Sequence, residues 1–143
     1  MFGIIYSIIA GICMSIQGTF NTRLGDKIGQ WETNILVQGS GLIITFVILL
    51  LAGNGNFKNL KNSNKLYLLG GALGVIIIFT VMQGIKTLGP TYSIATILVA
   101  QLIAAYAIDL FGLFDTNKMP FQFSKVIGLV IMILGIVIFK WKG

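Results

Sequence analysis

Five long apolar runs alternate with shorter polar segments along the chain. The runs cover about residues 2–20, 30–52, 66–85, 91–111 and 121–139. Each is close to the roughly 20 predominantly apolar residues that a helix needs to cross the hydrocarbon core of a bilayer. The pattern therefore predicts an all-α integral membrane protein, with five transmembrane helices forming a single domain over residues 1–143.

The polar segments predict the connections between these helices. The stretch NTRLGDKIG at residues 21–29 predicts a short turn, and GNGNFKNLKNSNK at residues 53–65 predicts the most polar loop. Leu88-Gly89-Pro90 predicts a tight turn, because proline cannot continue a helix and glycine permits the turn. Residues 112–122 predict a last loop. No Lys or Arg precedes Arg23, so the first run lacks the basic start of a signal peptide and is expected to be a retained helix.

The composition agrees with a surface solvated by lipid. Of the 143 residues, 56% are hydrophobic and only 10% are charged, whereas soluble domains carry about 25% charged residues. The net charge of +6 is scattered between the apolar runs, which favours lipid headgroups over nucleic acid as its partner. The absence of histidine excludes a His-based metal site or triad. We expect neither a cofactor nor an enzyme, and we expect the lone Cys13 to be a buried, inert thiol.

The basic residues divide equally between the two sides of a five-span topology. The side of the N-terminus carries Lys58, Lys61, Lys65, Lys118 and Lys125, and the other side carries Arg23, Lys27, Lys86, Lys140 and Lys142. Orientation follows the excess of Lys and Arg, so the count favours neither orientation. Either some positions, such as Lys125 inside the fifth helix, do not count, or the chain inserts both ways and pairs as an antiparallel homodimer.

An antiparallel pair would have the architecture of a transporter. An odd number of spans places the two termini on opposite sides, so two opposite copies form a ten-helix bundle like an inverted repeat. Many transporters are built from inverted repeats, with their sites near the bilayer midplane.

The fourth run, VAQLIAAYAIDLFG, carries Gln101 and Asp109 eight residues apart, which places both close to one helix face. A charge inside a bilayer costs a few kcal/mol, and such residues usually face a bundle interior or a water-filled cavity. Asp109 either does so or reaches headgroups from near the helix end. Gln101 lies near the helix middle and either bonds across helices or lines a substrate path beneath Asp109.

Three other polar residues are candidates for a site. Gln17 and Asn21 share a face of the first helix at i, i+4, where carboxamides either hold a substrate by directed hydrogen bonds or form an interhelical network. Glu32 opens the second helix beside Trp31. An acid in a first turn favours the helix dipole, and tryptophan favours the membrane interface, so Glu32 is either interfacial or a second coupling candidate.

Small residues indicate where helices approach closely. Gly70 and Gly74 form a small-xxx-small face on the third helix, and Gly18 lies beside the Gln17 and Asn21 pair. Such spacing lets helix backbones pack together. We assign these three glycines to helix packing rather than to a ligand.

With these residues the chain resembles the YdcZ-type small integral membrane proteins of the drug/metabolite transporter superfamily. The resemblance rests on Gln17-Gly18-x-x-Asn21 with Leu24-Gly25, Gly70-Gly71-x-x-Gly74, Leu88-Gly89-Pro90, Gln101 and Ile108-Asp109-Leu110-Phe111-Gly112-Leu113. It covers nearly the whole chain in the right order. The family commonly has His where this chain has Leu110, and an Arg-Pro-like pair where it has Lys118-Met119-Pro120, which argues against assuming the same substrate.

The resemblance implies a bacterial inner-membrane protein of five helices that works as a dimer and moves small organic solutes, often outward in exchange for protons. We therefore expect a secondary carrier whose site is lined by Asp109, Gln101, Gln17 and Asn21, with Glu32 as the other coupling candidate. Its expected partners are the lipid bilayer, a second copy or a paralogous chain, and a small-molecule substrate. The alternatives are a small dual-topology ion channel and a structural membrane subunit that transports nothing.

Overall fold

The computed structural model describes residues 2–141, and these are helical over most of their length. The helices are α1 (Phe2–Ile28), α2 (Gln30–Ala52), α3 (Gly70–Leu88), α4 (Pro90–Phe111) and α5 (Phe123–Lys140). Five helical stretches are long and apolar enough to cross a membrane, the third running from Lys65 to Leu88. No strand occurs within residues 2–141. The predicted all-α class with five spanning helices is confirmed; Lys142, one of the counted charges, lies outside the described residues.

The predicted turn at residues 21–29 is wrong, because α1 continues through these polar residues to Ile28. Polar side chains mark where the hydrocarbon ends, but nothing in Asn21–Lys27 stops a helix from extending into the interface. The connection to α2 is Gly29 alone, with φ 102° and ψ 154°. This backbone region is essentially restricted to glycine. Gly89, which connects α3 to α4, has nearly the same conformation, with φ 78° and ψ 161°.

The two longer loops contain short 3-10 helices. Phe57–Asn62 and Lys65–Leu69 lie between α2 and α3, and Leu113–Asp115 follows α4. Gly112 ends α4 in the left-handed conformation that commonly closes helices. The predicted fifth helix began at about residue 121, whereas α5 begins at Phe123.

The chain divides into two compact units, residues 2–87 and 88–141. In the first unit, buried positions occur in the second half of α1, at the start of α2 and at the end of α3. They are Gly18, Asn21, Thr22, Thr33, Asn34, Met82 and Ile85. Most of these side chains are polar or small, which is the interface composition typical of helices that associate in membranes.

The second unit is an antiparallel pair of helices, α4 and α5. Tyr106 of α4 meets Lys125 of α5 at one end, and Tyr92 meets Lys140 at the other. The loop between the helices folds back on α4, since the Met119 N–H donates to the Asp109 carbonyl at 2.8 Å.

Apolar side chains are exposed along both units. Within the described residues, the buried hydrophobic side chains are Met82, Ile85 and Val99, whereas large apolar residues are exposed on every helix. Cys13 is also exposed, so the expectation that it is buried is wrong. In water such a surface would drive association, but in a bilayer acyl chains or a second copy can cover it.

Candidate functional site

A group of polar residues lies within the first unit, where α1, α2 and α3 approach one another. The Asn34 Nδ2 group donates to the Val75 carbonyl of α3 at 2.9 Å, across the helix interface. Thr22 and Thr33 donate to the carbonyls of Gly18 and Gly29 in their own preceding turns, both at 2.8 Å. Asn34 therefore joins two helices, whereas the two threonines satisfy themselves locally.

The predicted pair Gln17 and Asn21 occupies two different environments. Asn21 is only 6% exposed, and its carboxamide makes no hydrogen bond to any residue in 2–141. Gln17 is exposed and likewise has no such partner among the described residues. No fully buried side-chain N or O atom lacks a hydrogen-bond partner among the described residues, so the Asn21 amide keeps some accessible surface and can donate to and accept from a ligand or a second chain.

The glycines assigned to packing differ in how closely neighbours approach them. A Cβ at Gly18 would lie 2.9 Å from Ile85 Cδ1 and 3.0 Å from Val81 Cγ1. A Cβ at Gly74 would lie 3.1 Å from Gln38 Nε2, whereas one at Gly70 would meet nothing within 4 Å among the described residues. Gly18 therefore sets how closely α3 side chains approach α1, next to Asn21.

Glu32 lies at the start of α2, as the sequence indicates. Its carboxylate folds back over Gly29 and occupies the space that a side chain at Gly29 would need. A negative charge there complements the helix dipole. The adjacent Trp31 ring stacks on Phe79 with centroids 4.8 Å apart. Glu32 is exposed and lies beside the connection between α1 and α2.

An ion pair lies in the same unit. Lys86 Nζ is 3.0 Å from Asp26 Oδ1, and both side chains are about half exposed. Exposed pairs of this kind contribute about 0–1 kcal/mol. Asp26 lies in the part of α1, residues 21–28, where the sequence predicts a turn.

The second unit carries the other two predicted residues. Gln101 is exposed near the middle of α4, and its amide makes no hydrogen bond to any residue in 2–141. Asp109 is half-buried in the last turn of α4, and its carboxylate has neither an ion pair nor a hydrogen bond with the described residues. Both side chains are therefore available for contacts outside the described chain.

Sequence reasoning missed an ordered contact next to Asp109. The Tyr106 hydroxyl accepts the Gln122 N–H at 3.0 Å and lies 3.4 Å from the Gln122 carbonyl. The Lys125 ammonium lies 5.3 Å from the centre of the Tyr106 ring and 3.8 Å from Met119 Sδ. The available signal was the position of tyrosines and lysines near helix ends, where aromatic rings and snorkelling lysines mark the membrane interface.

The five predicted site residues are three carboxamides and two carboxylates. Within residues 2–141, no three His, Cys, Asp or Glu side chains group so as to hold a metal ion. Gln17, Asn21 and Glu32 belong to the first unit, and Gln101 and Asp109 belong to the second. Carboxamides donate and accept hydrogen bonds without net charge, and a carboxylate binds either a proton or a cationic group.

The comparison with known families identifies the family of the chain. The sequence model of the DMT_YdcZ family, described as "Putative inner membrane exporter, YdcZ", matches residues 2–138. No curated protein and no solved structure matches the chain. The family is described as one of exporters, and the resemblance seen in the sequence is confirmed. With five helices that can cross a membrane, the chain belongs to the YdcZ family and is an integral inner-membrane transport protein.

Proposed function

We propose that this protein is a secondary carrier that exchanges a small organic solute for protons and works as a dual-topology homodimer. The observation that carries the proposal is Gln101, an exposed amide near the middle of α4 without a hydrogen-bond partner in residues 2–141. An unsatisfied polar group in hydrocarbon costs several kcal/mol. A second copy or a bound solute would supply the missing partner.

The distribution of charge supports a chain that inserts both ways. Beyond the equal division of Lys and Arg, the four acids also divide evenly. Asp109 and Asp115 belong to the side of the N-terminus, and Asp26 and Glu32 to the other. Acids contribute little to orientation, so their even division leaves the tie between the basic residues unchanged.

An antiparallel pair would bring the two sets of candidate residues to the same membrane face. Consecutive spans run in opposite directions, so Asn21 late in the first span and Asp109 late in the fourth belong to opposite membrane faces. In two opposite copies, Asp109 of one belongs to the same membrane face as Gln17 and Asn21 of the other. The proposed site combines this carboxylate with the partner copy's carboxamides, and Gln101 lies deeper on the same helix.

Asp109 is the proposed coupling residue. Its carboxylate is unpaired within the described residues, so it is available to bind either a proton or the cationic group of a substrate, and the two exclude each other. Glu32 is the weaker candidate, because its carboxylate already lies against the start of α2, where the helix dipole stabilises its charge.

The dimer is tested by the topology of single cysteines. Ser63 in the most polar loop is replaced by Cys in a Cys13→Ser background, and a second variant carries a cysteine appended to the C-terminus. We expect each site to react with an impermeant thiol reagent from both sides of intact membranes. Reaction from one side only would contradict the dual topology and favour a parallel oligomer or a paralogous partner.

Coupling is tested by comparing two carboxylates. Liposomes containing a trapped pH indicator are exposed to a panel of small organic cations, and proton efflux is recorded for wild type, Asp109→Asn and Glu32→Gln. We expect Asp109→Asn to abolish solute-driven proton efflux, because the amide binds no proton, and Glu32→Gln to retain it. Wild-type coupling in Asp109→Asn would reject the assignment, and flux far above carrier rates would indicate a channel.

A further inference from the structure

The loop between α2 and α3 contains a three-residue repeat that matches its own helix type. Residues 57–62 read Phe-Lys-Asn-Leu-Lys-Asn, and they form a 3-10 helix. A 3-10 helix has three residues per turn, so side chains at i and i+3 eclipse. The repeat therefore resolves into three edges: an apolar edge of Phe57 and Leu60, a basic edge of Lys58 and Lys61, and an amide edge of Asn59 and Asn62.

The segment is an ordered helix with a capped start. Asn56 caps it, with its side-chain oxygen accepting the Lys58 N–H at 2.9 Å. Asn64 caps the next 3-10 helix by accepting the Leu66 N–H at 3.1 Å. The three edges are exposed, with Phe57 at 75% and Leu60 at 49%. An ordered helix thus holds two large apolar side chains outside any core.

The apolar edge lies beside the end of a spanning helix. Phe57 and Leu60 line a shallow notch together with Leu49, and Leu49 belongs to the last turns of the spanning helix α2. The neighbouring 3-10 helix Lys65–Leu69 is part of the next spanning stretch. Residues 57–62 therefore lie where two spanning helices leave the hydrocarbon.

We propose that residues 56–65 form an interfacial anchor that binds anionic lipid headgroups. Phe57 and Leu60 enter the acyl boundary, while Lys58 and Lys61 contact headgroup phosphates, with Lys65 beside them. Interfacial helices combine an apolar edge with a basic one in this manner. Charge complementarity selects anionic lipid, since Lys58, Lys61 and Lys65 fall within eight residues and residues 53–69 contain no acid. The inference goes beyond transport and does not depend on the proposed coupling or dimer.

The test uses a spin label at Ser63→Cys in the Cys13→Ser background of the full chain. The purified protein is placed in vesicles of phosphatidylcholine, with or without phosphatidylglycerol, and collisions of the label with a water-soluble and a membrane-soluble relaxing agent are compared. Both leaflets have the same lipids, so the readout does not depend on orientation. Each lysine beside an anionic surface strengthens binding to that surface by about fivefold.

We expect phosphatidylglycerol to shield the label from the water-soluble agent. Salt at about 1 M should remove the shielding, because the Debye length then falls to about 3 Å. Lys58→Gln with Lys61→Gln should abolish the difference between the two lipids, and Lys58→Arg with Lys61→Arg should preserve it. The matched control, Asn59→Gln with Asn62→Gln, changes the third edge and should behave as wild type.

Two results would overturn the proposal. One is equal exposure of the label in both lipids, which would leave the basic edge facing water and favour a soluble acidic partner. The other is an equal loss of shielding in the lysine pair and in the asparagine control, which would indicate general disruption of the loop.

Discussion

Asn34 and Gln17 carry the same carboxamide, yet the protein places them in opposite surroundings. Asn34 is 3% exposed and donates across the interface to the Val75 carbonyl, whereas Gln17 is exposed and unpartnered within residues 2–141. Interhelical hydrogen bonds in membranes contribute about 0.6 kcal/mol on average and up to about 1.7 kcal/mol. Position relative to the neighbouring helix, rather than residue type, decides which amide stabilises the fold.

We therefore expect Asn34→Ala to lower the free energy of unfolding by about 1 kcal/mol and to leave transport largely intact. Gln17→Ala should show the reverse, with unchanged thermal stability and reduced solute flux, because its proposed partner is the ligand or the second copy. Thermal unfolding in detergent and flux in liposomes measure the two effects. Equal destabilisation by both variants would instead assign Gln17 to helix packing.

Glycine is required at position 29 by the local backbone conformation and by the neighbouring Glu32 side chain. Its φ of 102° and ψ of 154° lie in a region used almost only by glycine, and the Glu32 carboxylate fills the space of a side chain. We expect Gly29→Ala to destabilise the protein by about 1–3 kcal/mol, measured by thermal unfolding.

The control for this prediction is Gly11→Ala. Gly11 lies inside α1, and a Cβ there would meet nothing within 4 Å among the described residues. Alanine favours a helix over glycine by about 1 kcal/mol, so this variant should be neutral or stabilising. The same loss of stability in both variants would show that the conformation of Gly29 is not what matters.

At the scale of the element, hydrophobicity predicted that five spans exist but not where each helix ends. For α2 the apolar run predicts both helix ends correctly, because Gly29 and Gly53 lie directly beside them. For α1 the apolar run predicts only the start correctly. A helix makes its own backbone hydrogen bonds, so it can extend beyond the hydrocarbon without ending there. The extension from Asn21 to Ile28 matters, because it carries the Asp26 partner of Lys86.

The candidate site was predictable only where one helix determines it. The spacing of Gln17 and Asn21 places them on one face, but packing of Gly18 against Ile85 decides that Asn21 is buried while Gln17 is exposed. Asn34 gave no periodic signal, because its role depends on the Val75 carbonyl 41 residues away. The contact of Tyr106 with Gln122 likewise needs the α4–α5 pairing.

For the whole molecule, the even charge distribution makes orientation unusually sensitive to a single lysine. Five basic residues belong to each side, and orientation follows the difference between the sides. Ser63 and Thr87 are exposed and belong to opposite sides. We expect Ser63→Lys and Thr87→Lys to fix the chain in opposite orientations, as read by cysteine labelling. Each variant alone should lose most transport, because a homodimer of fixed orientation lacks its inverted copy.

Co-expression of the two variants tests whether the inverted copy is what was lost. A pair of Ser63→Lys and Thr87→Lys chains supplies both orientations, so transport should return, while Ser63→Gln and Thr87→Gln should behave as wild type throughout. A parallel or monomeric transporter predicts the opposite pattern, because the variant that keeps the working orientation would be active alone and would gain nothing from its counterpart. The balance of ten basic residues would then be incidental to function, whereas rescue would make it a requirement for assembling the site from two opposed copies.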